Sequence, residues 1–162
     1  MISTPRAEDA LFEREIELEE RELARLLELL ADEQRVLTRQ DDDRLLAIAA
    51  EKAKHLDSLE RLGRRRNDYL KRCGMRADAD GMLDWLSSHP ERDLAARAWG
   101  KLEDNTRRAR EANRINGALI ADRMQSFQRK LAFFNAVACN DPTYSPDGFT
   151  RPTPPRRILG EA

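Results

Sequence analysis

The residues of this 162-residue chain that could do chemistry are two histidines, two cysteines and a run of three aspartates. His55 follows Glu51 by four residues, one more than the Glu-x-x-His spacing with which helical bundles hold paired iron ions. His55 flanks an apolar helical stripe, and His89 stands in a Ser88-His89-Pro90 turn. Cys73 and Cys139 are far apart, share no metal or redox spacing, and neither has an evident base beside it. Asp41-Asp42-Asp43 lacks the alternating ligands and the glycine of a calcium loop. No glycine-rich phosphate loop is present, and long charged helices offer no pocket to shift a carboxylate. The sequence therefore predicts no catalytic residue, no metal and no cofactor; the protein is expected not to be an enzyme.

The chemistry that remains is recognition by apolar surface. From about Glu91 to Ala138 one helical face recurs without a proline: Trp99, Leu102, Thr106, Ala109, Asn113, Gly117, Ile120, Met124, Phe127, Leu131, Phe134 and Ala138. Such a helix would be on the order of 70 Å long, too long for a compact globule, so it is expected to be the spine of an elongated bundle. Up to Gly117 the stripe is narrow and made of small or polar residues. Beyond it the stripe is broad and apolar, more than one packed seam requires. Leu119, Ile120, Met124, Phe127, Leu131 and Phe134 are the candidate residues for binding a partner. Gly117 costs about 1 kcal/mol relative to Ala in a helix. It is read either as a close-packing site or as a hinge between a packed half and a half kept for a partner.

Three more helices must position that spine. The first runs from about residue 5 to 39, with Ser3 or Thr4 as cap and a stripe of Phe12, Ile16, Leu23, Leu27, Leu30 and Leu37. After the Gln40–Asp43 turn, whose aspartates can cap it, a second helix covers about 42–73. Its stripe reads Leu45, Ala49, Lys52, Leu56, Leu59, Gly63, Arg66 and Leu70. So short a turn makes an antiparallel hairpin. The acidic start of the first helix (Glu13 to Glu22) then lies beside the basic end of the second (Arg61 to Arg66). Each exposed pair is worth a few tenths of a kcal/mol, and together they favour the antiparallel over the parallel pairing. Gly74 is a C-cap, Asp78 or Asp80 starts a short helix at about 80–87, and Met82, Leu83, Trp85 and Leu86 plug that end of the bundle. The spine follows at about 91–138.

The fold class is thus all-α, an elongated antiparallel bundle of three long helices plus one short helix, occupying residues 1–139. Residues 140–162 hold five of the seven prolines and read as an extended, Pro-rich C-terminal tail with a Tyr144-Ser145-Pro146-Asp147-Gly148 turn. With 36% charged residues, 6% aromatic and a net charge of −1, there is no basic excess to draw nucleic acid. Arg64-Arg65-Arg66 has no interleaved aromatics to stack bases, and glutamates face it. Neither a signal peptide nor a membrane span is evident, so no stable membrane insertion and a reducing, cytoplasmic location are expected.

Asn113-Arg114-Ile115-Asn116-Gly117-Ala118-Leu119-Ile120 resembles the Asn-x-x-Asn-Gly-x-Leu-Ile signature of the FlgN family of flagellar export chaperones. Thr143-Tyr144-Ser145-Pro146-Asp147-Gly148 resembles that family's Thr/Leu-Tyr-Gly-x-Asp-Gly turn, with Ser145 where the family commonly has glycine. Lys52 and the start of the spine at Trp99 fit more loosely. The resemblance implies a cytoplasmic chaperone of the flagellar type III export system. Such a chaperone holds hook-associated (hook–filament junction) proteins by their C-terminal helical segments and brings them to the export gate at the membrane. It also implies that Tyr144, with Asp147 and Gly148, docks at the gate's cytoplasmic domain, and it singles out Asn113, Asn116 and Gly117 as family-motif residues. The other reading is a coiled-coil scaffold, a homodimer covering the same apolar face with its own copy.

Overall fold

A computed structural model describes residues 5–39 and 41–140, with side chains at all of these positions except 5, 6, 42 and 138–140. Four helices account for nearly all of them: α1 (Pro5–Arg39), α2 (Asp42–Arg72), α3 (Ala79–Ser88) and α4 (Asp93–Asn140). No strand occurs among the described residues, and the architecture is an all-α helical bundle. Two compact units share the chain, Met1–Ile120 and Ala121–Ala162. The division falls inside α4, whereas the sequence places its only boundary at 139/140. The tail from Asp141, and the cap expected from Ser3 or Thr4, lie outside the described residues.

The first unit is built on the α1–α2 hairpin. Asp41 caps α2, its carboxylate accepting from the Arg44 amide at 3.3 Å. At the far end Gly74 takes a φ of 75°, where a side chain would be strained. Its amide donates to the Lys71 carbonyl and that of Met75 to Leu70, both at 2.9 Å. This paired arrangement satisfies the carbonyls left open at a helix C-terminus. Asp78 caps α3 through the Gly81 amide at 3.0 Å, a bond that holds the Asp78 carboxyl below its usual range. A Cβ at Gly81 would come within 1.9 Å of the Arg76 carbonyl oxygen, so this turn excludes every other residue.

The seam of α1 keeps a seven-residue repeat: Asp9, Phe12, Ile16, Glu19, Leu23, Leu26, Leu30, Glu33 and Leu37 alternate at intervals of three and four, all buried except the half-buried Asp9. On α2 the matching seam is Leu45, Ile48, Lys52, His55, Leu59, Leu62, Arg66 and Tyr69. It departs from the stripe expected from sequence, for Ala49 and Leu56 are exposed and their seats belong to Ile48 and His55. Two of the carboxylates within the α1 seam meet a base on α2. Glu19 pairs with Arg66 at 2.5 Å and Glu33 with Lys52 at 2.7 Å. A slip of one heptad would set Glu33 opposite Leu45 or Leu59, an uncompensated charge in the core. The buried pairs therefore fix register, which apolar residues alone would leave degenerate. Glu15–Arg65 at 3.5 Å adds the exposed acidic-to-basic contact expected across the hairpin.

The end of the first unit away from the Asp41 turn is closed by α3. Met82 and Trp85 are fully buried there, with Leu86 partly so; Leu83, expected in the same plug, is instead exposed. Phe12 stacks on Tyr69 with ring centroids 4.0 Å apart and meets the Trp85 edge at 4.8 Å, while His89 stacks on Trp85 at 4.4 Å. The Tyr69 hydroxyl donates to Asp9; burial first, and that bond second, push its pKa up. From α1, Glu13 accepts from the Ala95 amide at 3.2 Å and from Arg92 at 3.1 Å, capping the first turn of α4.

Candidate functional site

Within the first unit, α4 packs on the hairpin by its own seven-residue repeat. Ala95, Ala98, Leu102, Asn105, Ala109, Ala112, Asn116 and Leu119 are the buried or half-buried positions, with Trp99 widening the seam. This seam and the stripe predicted from sequence part company at Ala109. The predicted stripe takes two steps of four, to Asn113 and then Gly117, whereas the seam steps three to Ala112 and four to Asn116. One residue is about 100° around the helix. Asn113 and Gly117 are therefore exposed, on the face beside the seam.

That divergence separates the motif residues. Asn116 is 1% exposed, and its amide nitrogen donates to the Leu30 carbonyl at 2.9 Å and to Glu33 at 2.8 Å. Lys52 donates to the other Glu33 oxygen. Asn116, Glu33 and Lys52 thus join α4, α1 and α2 through one buried carboxylate. Gly117 does not pack closely on a neighbour, since a Cβ there would meet nothing within 4 Å. Close packing, the commoner reason for a helical glycine, is excluded for it within the first unit. Of the candidate binding residues in this unit, Leu119 is half-buried on the seam and Ile120 is 37% exposed beside it.

A groove of about 730 Å³ also lies between α2 and α4 in the first unit, lined by Arg66, Trp99, Leu102, Thr106 and Arg110 among others. The Arg66 guanidinium covers the Trp99 ring at 5.1 Å while pairing with Glu19. Burial pushes the Glu19 carboxyl above its ordinary value of 4.5, and the Arg66 charge and hydrogen bond oppose that shift without cancelling it. An acid whose folded-state pKa is raised binds its proton more tightly folded than unfolded, so it adds stability as pH falls through that raised pKa toward 4.5. Wild type should accordingly gain stability relative to Glu19→Gln over that fall, and the difference should level below it. Urea unfolding of both chains across the window checks this; a difference that shrinks as pH falls would mean that the ion pair outweighs burial.

The second unit, taken by itself, carries a different surface. Met124, Phe127, Leu131 and Phe134 recur at intervals of three and four, and are 61%, 62%, 47% and 66% exposed. Phe133 and Val137 are exposed beside them, and the rings of Phe133 and Phe134 meet edge to face at 6.1 Å. In sequence these residues continue the spacing of Gly117 and Ile120, not that of the packed seam. Four large apolar side chains in line, uncovered by the described residues of this unit, are what a helix offers to another helix. Tyr144, Asp147 and Gly148 lie outside the described residues.

His55 bonds Glu22 at 2.7 Å, and His89 lies 3.6 Å from Asp9. Among the described residues no group of three or more His, Cys, Asp or Glu could hold a metal ion, and no helix is long and apolar enough to cross a membrane. Sequence reasoning missed Glu19, Glu33 and Asn116 as buried, interacting groups. The available signal was the unbroken interval of three and four through Glu19, Glu33 and Asn116, which a search for apolar residues passes over.

Among curated proteins none gives a significant match. A crystal structure of a candidate flagella synthesis protein FlgN from Pseudomonas aeruginosa is similar to this chain with a TM-score of 0.59 and 26% sequence identity, covering 74% of this chain and 90% of that one. The model of the FlgN protein family matches residues 10–152, spanning both the packed seam of α4 and the exposed stripe. The chain belongs to the FlgN family.

Proposed function

We propose that this protein is a cytoplasmic, non-catalytic chaperone of flagellar export that binds the C-terminal helical segments of hook-associated proteins and delivers them to the type III export gate. The exposed stripe of Met124, Phe127, Leu131 and Phe134 carries the proposal, because it presents the anchor spacing of helix-in-groove recognition and no described residue of its own unit covers it. Family membership and the flagellar name of the structural neighbour support a flagellar role. Leu119 and Ile120, in the first unit, are assigned lesser roles because Leu119 is half-buried on the packed seam and Ile120 is less exposed than the stripe residues beyond it. The test is the size of the purified full chain with and without a hook-associated C-terminal segment. A complex of one chain with one segment supports the proposal. A dimer that ignores the segment would make the protein a homodimeric scaffold.

Gate docking is assigned to Tyr144, together with Asp147 and Gly148 of the same sequence motif. An aromatic ring with one hydroxyl gives a large, rigid contact at small ordering cost. Tyr144→Ala should leave folding and client affinity unchanged while weakening capture by the gate's cytoplasmic domain about tenfold or more, the loss expected for an aromatic anchor. Client and gate binding are measured separately on purified protein. Loss of the client with the gate retained would reverse the assignment.

A further inference from the structure

We infer that the helix received by the stripe of the second unit is an acidic one, with carboxylates along one edge of its apolar face; this rests on the client-binding function proposed above. With Met124 and Leu131 at the a positions of a heptad and Phe127 and Phe134 at d, the two flanks of the stripe are unlike. One flank (g) holds Arg123 and Lys130, seven residues apart. The other (e) holds Gln128 and Asn135, which are neutral. Arg129 is also basic and Asp122 is the lone acid of the described residues of this unit; both fall at f, away from the stripe. The inference rests on the exposed Lys130, with Arg123 adding the same sign one heptad earlier. A bound helix sets its own flanks against these positions, and flanking charges choose partner and orientation more than they add affinity. A carboxylate opposite Lys130 is favoured, and a lysine or arginine there is repelled.

The same arrangement argues against a second copy as the occupant. Antiparallel self-pairing brings g against g, so Lys130 of one chain would approach Lys130 or Arg123 of the other. Parallel self-pairing sets Lys130 against neutral Asn135 and gains nothing from the charge. A foreign helix with an acid opposite Lys130 answers that charge in either orientation.

The experiment uses the full chain and two synthetic helices of about 21 residues, long enough to form once docked. Both carry Leu at a and d; one has Glu and the other Lys at e and g. Their dissociation constants are measured by fluorescence anisotropy at low and high salt. The Glu-flanked helix should bind about tenfold more tightly at low salt, with the preference shrinking as salt screens the charges. Lys130→Glu should reduce or invert the preference. Equal binding of the two helices, or a preference unmoved by Lys130→Glu, overturns the inference. Phe127→Asp with Leu131→Asp separates the two levels. If those changes abolish binding of both helices but no charge preference exists, the stripe is the site and only its acidic partner is wrong. If binding survives them, or neither helix binds the unmodified chain, the client-binding function itself fails; sedimentation of the chain as a dimer would then name a second copy as the occupant.

Discussion

Trp85→Ala lowers the stability of the folded chain by about 3–5 kcal/mol, the range for deleting a fully buried aromatic side chain. Trp85 has no exposed surface, and the rings of Phe12, Tyr69 and His89 surround it. It is where α3 meets both helices of the hairpin, so its loss empties a volume that three helices share. A domain holds only about 5–15 kcal/mol in all, and a change of this size would leave a measurable unfolded fraction at growth temperature. Leu83→Ala, two residues away on the same helix, should cost within about 0.5 kcal/mol because Leu83 is exposed. Urea unfolding of the two variants decides the matter. Equal losses would mean that α3 does not plug the bundle as described.

Phe127→Asp combined with Leu131→Asp has the opposite profile. Both side chains are exposed, so the free protein should keep its helicity and its unfolding midpoint. Covering a large apolar side chain is worth about 1.5–3 kcal/mol. Removing two anchors from a binding face should weaken client binding about 10²- to 10⁴-fold. Titration of a hook-associated C-terminal segment into each chain measures this. A variant that is folded and binds as wild type does would place the site elsewhere.

The hairpin was legible in the sequence because its signals agree. The turn is short, the apolar intervals are regular, and Glu15 to Glu22 and Arg61 to Arg66 have opposite signs on segments that fold back on one another. What could not be read was which charged residues go inside. Glu19 and Glu33 are chemically indistinguishable from the solvated glutamates around them; only the partners that folding brings, Arg66, Lys52 and Asn116, make their burial tolerable. The same holds for α4. An apolar search follows Ile120, Met124 and Phe127 back through Gly117 to Asn113, and so assigns the exposed face to the core. The packed seam at that point is made of Ala112 and Asn116, one too small and the other too polar to stand out. The apolar stripe beyond Gly117 was legible because it is extreme, and in the structure Met124, Phe127, Leu131 and Phe134 are exposed.

The most direct test of client docking is a photo-crosslinking amino acid placed in turn at Phe127, Leu131, Asp122 and Arg129 of the full chain, with a hook-associated C-terminal segment present. Docking on the stripe predicts efficient crosslinks to the segment from positions 127 and 131 and none above background from 122 and 129, which lie on the opposite side of the helix. Crosslinks from 122 and 129 equal to those from 127 and 131, or no crosslink from any of the four to a segment shown to be bound, would contradict it.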